Sequence, residues 1–216
     1  MHDLDGWSVL VTAGGTREPI DPVRYIGNRS SGRMGNAIAM EAASRGAAVT
    51  LVTTVNPPEL EGEVVSVETA AEMADAVWER VPGSDVIVMA AAVADFRPAV
   101  NHPGKLARAD APPVIELEPT PDVLAGVVER SRGAIVVGFA AETGSLDRAV
   151  KKAQTKGVDL LVANDVLSDG SGFGTPTNEV TVIMPDGTLD PWPLISKPEV
   201  AARLWDLLID LRPAQH

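Results

Sequence analysis

The 216-residue sequence contains no cysteine, which excludes disulfides, thiolate nucleophiles and zinc–thiolate sites. Histidine is scarce, and neither His2 nor His102 has a partner at ligand spacing, so a side-chain metal site is not expected and no metal ligand is assigned. Aromatic residues amount to 4%, with Tyr25 the single tyrosine. Positive charge is short: 18 Lys and Arg stand against 30 Asp and Glu, a formal net charge of −12. Nucleic acid is therefore not the expected partner, because phosphate-backbone binding needs clustered cations. A small anion held by a few placed cations stays compatible. No apolar run approaches the ~18 residues of a membrane-spanning helix. The start, "MHDLDGW", has no basic-then-apolar signal pattern. The expectation is a soluble, cytoplasmic protein without a membrane partner.

What is present is an ordinary globular mix, 45% hydrophobic and 22% charged. The length suits one sizeable domain, expected to span residues 1–216. Continuous apolar runs alternate with helical periodicity. "SVLVTA" (8–13), "AAVTLVTT" (47–54), "DVIVMAAAVAD" (85–95), "AIVVGFAAE" (134–142) and "VDLLVAND" (158–165) read as buried strands. Residues 32–46, 69–81, 120–131, 145–157 and 197–211 read as helices. Thr69 and Glu72 form a capping box for the second, while Thr120 caps the third with Pro121 at its first position. This rhythm predicts an α/β fold, a Rossmann-like doubly wound and mostly parallel sheet. Two segments break it. Residues 96–119 hold five prolines and read as an extended arm or flap; residues 178–192 read as a β-hairpin turning at Asp186-Gly187.

In open parallel sheets the ligand sits beyond the carboxyl ends of the strands. After the first run come Gly14, Gly15 and Thr16, then, through a long loop, Asn28, Ser30, Ser31 and Gly32 at a helix start. Small hydroxylated residues and free amides there make a ready anion site; otherwise the glycines simply turn the chain. A dinucleotide fingerprint is absent, as is a P-loop, and the second strand ends "VTTVN" with no acid for a ribose. Tyr25 is followed at four residues by Arg29, so a Tyr-x-x-x-Lys pair is also missing. The third run ends in "AAAVAD": small side chains admit a ligand to the backbone, and Asp95 either bonds a ribose hydroxyl or caps a turn. Taken alone, Lys105 in the arm and the pair Lys152 and Lys156 read as solvated cations. No Ser–His–Asp arrangement is visible, so a protein nucleophile is not expected.

"AGGTREPIDPVRYIGNRSSGRMG" (13–35), "AAAVADFRP" (90–98), the arm lysine, "TPDVLAG" (120–126), "VVGFAAET" (136–143) and "DLLVANDV" (159–166) occur in this order. In that order they resemble phosphopantothenate–cysteine ligase, the synthetase half of a bacterial bifunctional coenzyme A enzyme, over essentially the whole chain. The resemblance implies joining of 4′-phosphopantothenate to L-cysteine at the expense of CTP with Mg²⁺, through an acyl-cytidylate. It implies that Asn28 contacts the acyl-cytidylate and supports amide formation; a carboxamide can both donate to the activated acyl oxygen and accept from another partner. Arg24 would close over the phosphopantothenate side, and Lys105 would be the first lysine of a flap over the phosphates. For the nucleotide it implies Asp95, the backbone of Ala90 and Ala91, Pro121, Asp122, Val123, Leu124, Phe139, Lys152 and Lys156, beside the Gly15 and Ser31 loop. It further implies a homodimer using arm and hairpin, and a flavin-dependent decarboxylase unit in a longer protein.

The sequence departs from that family at "KLAR" (105–108), where Lys-Ile-Lys-Lys is usual: Lys105 survives, Ala107 replaces a lysine and Arg108 keeps a charge. An ATP-using ligase of the same chemistry and a non-catalytic nucleotide-binding module are the competing readings. Retention of Arg24, Asn28, Asp95 and Lys105 together disfavours the module.

Overall fold

The computed structural model describes residues 2–107 and 114–211. The first apolar run forms β1 (Ser8–Ala13), buried over its last five residues. The segment expected as a plain loop then contains a small antiparallel hairpin, β2 (Arg17–Pro19) and β3 (Tyr25–Gly27). Four residues, 28–31, link its last strand to Gly32, which takes φ 74° and starts α1 (Arg33–Ser44). That left-handed conformation suits glycine because a Cβ would crowd the backbone. β4 (Ala48–Thr53) follows, then β5 (Glu63–Ser66), a short, mostly exposed strand that the apolar pattern does not reveal. α2 (Ala70–Arg80) opens with the expected capping box: Thr69 Oγ1 accepts from the Glu72 amide and the Glu72 carboxylate accepts from the Thr69 amide.

β6 (Val86–Met89) is fully buried but stops well before residue 95. The arm carries two short paired strands, β7 (Phe96–Pro98) and β8 (Leu117–Pro119). α3 (Val123–Arg130) starts later than expected. Its cap is Asp122, which accepts from the Ala125 amide, because the Thr120 hydroxyl donates instead to the Ala94 carbonyl. β9 (Ile135–Glu142), α4 (Asp147–Lys156) and β10 (Leu160–Asp165) complete the alternation. β11 (Thr177–Ile183) and β12 (Leu189–Ser196) form the hairpin, turning through Asp186 and Gly187, and α5 (Lys197–Leu211) follows.

Eight strands pair in the order β12-β11-β10-β9-β6-β1-β4-β5, parallel except for the last hairpin, which pairs antiparallel with β10. This is an α/β, Rossmann-like, mostly parallel sheet. α1 and α5 cover one face, where Ile38, Ala42, Leu204 and Trp205 pack on β1, β4 and β9. Helices α2, α3 and α4 cover the other, through Met73, Val77, Val127 and Ala153. The chain winds outward from β1 to β4 and β5, then crosses back to β6. The switch point between β1 and β6 is where such folds open a crevice at the strand ends.

Candidate functional site at the β1–β6 switch

Beyond Met89 the chain leaves the regular ladder, yet residues 90–94 remain tied to the extension of β1. The buried hydroxyls of Thr12 and Thr16 accept from the amides of Ala91 and Ala94, at 3.0 and 2.9 Å. Gly14 accepts from the Ala92 amide at 2.8 Å. This arrangement leaves the carbonyls of Ala92 and Val93 facing the Asn28 loop. Asn28 Nδ2 donates to both, at 3.2 and 3.0 Å. Gly15 makes the approach possible, since a Cβ there would lie 2.6 Å from the Asn28 carbonyl oxygen.

The amide nitrogen of Asn28 is thereby committed to the backbone, and Oδ1 has no partner among the described residues. Exchanging nitrogen and oxygen would set Oδ1 against two carbonyl oxygens, so the orientation follows from the partners. The side chain thus presents an acceptor toward the crevice while its nitrogen is engaged by the backbone.

The β2–β3 hairpin is fixed from below and from above. Below, the buried Glu18 carboxylate accepts from the Ala70 amide at 2.9 Å, anchoring the hairpin to the start of α2. Above, the Asp21 side chain, with no exposed surface, accepts from the amides of Val23 and Arg24 and from the Arg24 guanidinium. That guanidinium, followed by backbone donors, holds the Asp21 carboxyl well below the usual carboxylate range against the opposing effect of burial. Asp21 also accepts from the Leu106 amide at 3.2 Å, and Arg24 donates to the Leu106 carbonyl at 3.0 Å. Lys105, exposed, is the neighbour of this anchored residue. Arg24 therefore joins the hairpin to the arm. Arg108 lies outside the described residues.

The other expected nucleotide contacts gather around α3 and α4. Pro121 and Asp122 precede α3, Val123 is buried at its start and Leu124 is half-buried beside it. Lys156 is ion-paired with Asp122 and Lys152 acts on the same carboxylate at longer range. Burial opposes ionisation of Asp122, but Lys156 and the Ala125 amide outweigh it and lower its pKa. The two lysines are accordingly more than a solvated pair. Asp95 is exposed, with no side-chain partner among the described residues, and its carbonyl accepts from the Thr120 amide.

A narrow cleft of about 90 Å³ runs from Ser30 and Ser31 past Ala90 and Ala91 to Phe139. Its far wall comes from residues the sequence reading did not select: Arg33, Asn164, Phe173, Asn178 and Lys197. Asn178 shapes that wall by accepting from the Ser171 hydroxyl and the Gly172 amide. The only sequence signal for it is the Gly/Ser/Thr-rich stretch before β11. Larger hollows of about 510 and 560 Å³ lie at the opposite ends of the strands, beside Gly62 and Pro82. There Arg80 pairs with Glu63 and Arg130 with Glu129 at the surface; the carboxyl-end cleft, at the β1–β6 switch, is the candidate site. Among the described residues, no three His, Asp or Glu side chains are arranged to hold a metal. No helix among them is long and apolar enough to cross a membrane.

An open parallel sheet with its crevice at the β1–β6 switch places the protein in the Rossmann-like class. The chain belongs to the DNA/pantothenate metabolism flavoprotein C-terminal domain family, whose model matches residues 4–211. It is 48% identical over 225 residues to the coenzyme A biosynthesis bifunctional protein CoaBC of Mycobacterium tuberculosis, covering 96% of this chain and 53% of that one. The chain thus spans about half the length of that relative. The crystal structure of the C-terminal domain of a coenzyme A biosynthesis bifunctional protein CoaBC matches with a TM-score of 0.81 at 39% identity, covering 98% of both chains. A Cab2 H337A mutant in complex with phosphopantothenate-cysteine shares the fold, with a TM-score of 0.75 at 17% identity over 94% of this chain and 86% of that one. The family reading made from the motifs is borne out.

Proposed function

We propose that this chain is a phosphopantothenate–cysteine ligase domain acting in coenzyme A biosynthesis, with CTP as the activating nucleotide. The carrying observation is Asn28, held by the Ala92 and Val93 carbonyls with its oxygen free at the β1–β6 crevice. In the first step a carboxylate oxygen of 4′-phosphopantothenate bonds to the α-phosphorus of CTP and the bond to pyrophosphate breaks. In the second, the cysteine nitrogen bonds to the acyl carbon, CMP leaves with the electron pair and the nitrogen loses a proton. Both steps build negative charge on oxygen, which fixed amides and cations stabilise without a covalent enzyme intermediate. Asn28 Oδ1 suits an N–H of the incoming amine, orienting its lone pair toward the acyl carbon. Lys105 and the α4 lysines supply cations for the triphosphate. Magnesium fits as an ion carried largely by the triphosphate oxygens.

Pyrophosphate release measured with CTP and with ATP, with and without phosphopantothenate, tests this reading. The expected result is release that requires CTP and phosphopantothenate, and amide product when cysteine is added. Equal turnover with ATP would remove the CTP assignment; no turnover with either would favour a binding module.

A homodimer is part of the proposal. Phe96, Val100, Val114 and Leu117 on the arm, and Leu189 and Leu194 on β12, are exposed apolar side chains. Apolar surface of this kind is stabilised by burial against a second copy. Light scattering at micromolar concentration should give twice the chain mass. In a longer protein a flavin-dependent decarboxylase unit would accompany this domain.

A further inference from the structure

Arg33 and Lys197 are the first residues of α1 and α5, and both line the cleft. A cation at a helix start opposes the macrodipole, so neither position is explained by helix stability. For α5 the conflict is eased by Glu199, which caps the helix by accepting from Ser196. For α1 it is not eased: Gly32 provides no side-chain cap and the first turn contains no acidic residue. Yet Lys197 is only 5% exposed. Its ammonium donates to the Gly172 carbonyl at 2.9 Å, and Arg33 donates to the Gly174 carbonyl two residues on. One loop therefore draws both cations to the same wall.

A buried charge ordinarily has a counter-charge. Among the described residues no carboxylate pairs with Arg33 or Lys197, and the cleft lining contains neither Asp nor Glu. This holds in a chain whose acidic residues outnumber its basic ones by 30 to 18. Burial, with the Arg33 charge beside it, also lowers the Lys197 pKa, as expected for a cation lacking its counter-ion. Ser30 and Ser31 line the same end of the cleft and add hydroxyl donors.

We infer that Arg33 and Lys197, with the open amide end of α1, form an anion subsite that takes a phosphate group of a substrate. The subsite rests on the ligase reading for the identity of that substrate, which is either phosphopantothenate or the nucleotide. The α4 lysines pack on the opposite face of the sheet from α5, so this is a second cationic cluster rather than an extension of theirs.

Inorganic phosphate is the probe that separates the subsite from the ligase reading. Its binding is followed by 31P NMR titration in the wild type, in Lys197→Met and in Arg33→Met, with circular dichroism to verify folding. Loss of a charge-assisted contact should weaken phosphate binding roughly tenfold or more in each variant. Steady-state assays then identify the source: a raised KM for phosphopantothenate assigns its monoester, and a raised KM for the nucleotide assigns the triphosphate. Both variants binding phosphate as the wild type does would overturn the subsite. Should Lys197→Met fail to fold, the exposed Arg33→Met decides alone. Phosphate binding that the variants lose, in a protein without ligase turnover, would uphold the subsite and reject the functional reading.

Discussion

The carboxamide nitrogen of Asn28 donates to the backbone carbonyl of Val93, 3.0 Å away, across 65 positions of sequence. With Ala92 as its second acceptor, the side chain is oriented before any substrate arrives. An aspartate here would set a carboxylate oxygen against two carbonyl oxygens and lose both donors. Asn28→Asp should fold, since the residue is exposed and carries no core packing. Amide formation should slow by roughly tenfold to a hundredfold, while the acyl-nucleotidylate accumulates. Rapid quenching and mass spectrometry read the intermediate; product at the wild-type rate would make Asn28 a structural loop residue only.

Lys105→Ala removes the arm cation nearest the anchored Leu106. Pyrophosphate release should fall roughly tenfold or more, as expected for loss of a charge-assisted contact. The second step, started from isolated acyl-nucleotidylate, should change less. An unchanged first step would end the assignment of Lys105 to the phosphates.

Asp21 predicts how the hairpin–arm junction responds to acid. Its folded-state pKa is depressed, chiefly by Arg24, so its contribution is complete above the unfolded carboxylate value of about 3.9. The contribution declines only as pH falls from there through the lower, folded value. Carbon-detected NMR titration should place the Asp21 midpoint well below that of a free aspartate, and Asp21→Asn should abolish the pH dependence of the Leu106 amide shift. A midpoint near the free value would contradict the junction as described.

Asp122 serves both as the cap of α3 and as the partner of Lys156. Asp122→Asn keeps a capping oxygen and should change stability little. Asp122→Ala should cost about 1 kcal/mol, a typical loss for a helix cap. Lys156→Met, which removes only a partly exposed ion pair, should cost about 0–1 kcal/mol. Urea denaturation midpoints distinguish the three, and an alanine variant as stable as the asparagine variant would show that the cap contributes nothing.

The long buried strands and amphipathic helices were legible because each carries its own period. The elements that escaped are those whose structure comes from elsewhere. β5 is exposed on most of its residues and pairs only with β4, so it has neither an apolar run nor an alternating one. β6 ends at Met89 although the apolar run continues, because the Thr12 and Thr16 hydroxyls replace the ladder for residues 90–94. Thr120 looked like the better cap until its hydroxyl proved committed to Ala94.

The site divides in the same way. Motif residues such as Asn28 and Asp95 could be selected from order and type. Lys197 could not: a lysine at the first position of an amphipathic helix reads as solvent-facing. Only the placement of the 172–174 loop over it shows that it is buried.

The face that α5 covers has a consequence for how the chain is made. β1 to β4 is a crossover that sends its helix, α1, to that side, while α2, α3 and α4 all lie on the other. The apolar side chains of β9, β10 and β11 on that side therefore wait for the 15 residues of α5, which follow every strand in chain order. During synthesis from the N-terminus, a completed sheet would emerge with this flank bare, and Trp205 seals it by docking its indole N–H on the Ile38 carbonyl. A chain ending before α5 would leave the apolar side chains of β9, β10 and β11 on this face uncovered.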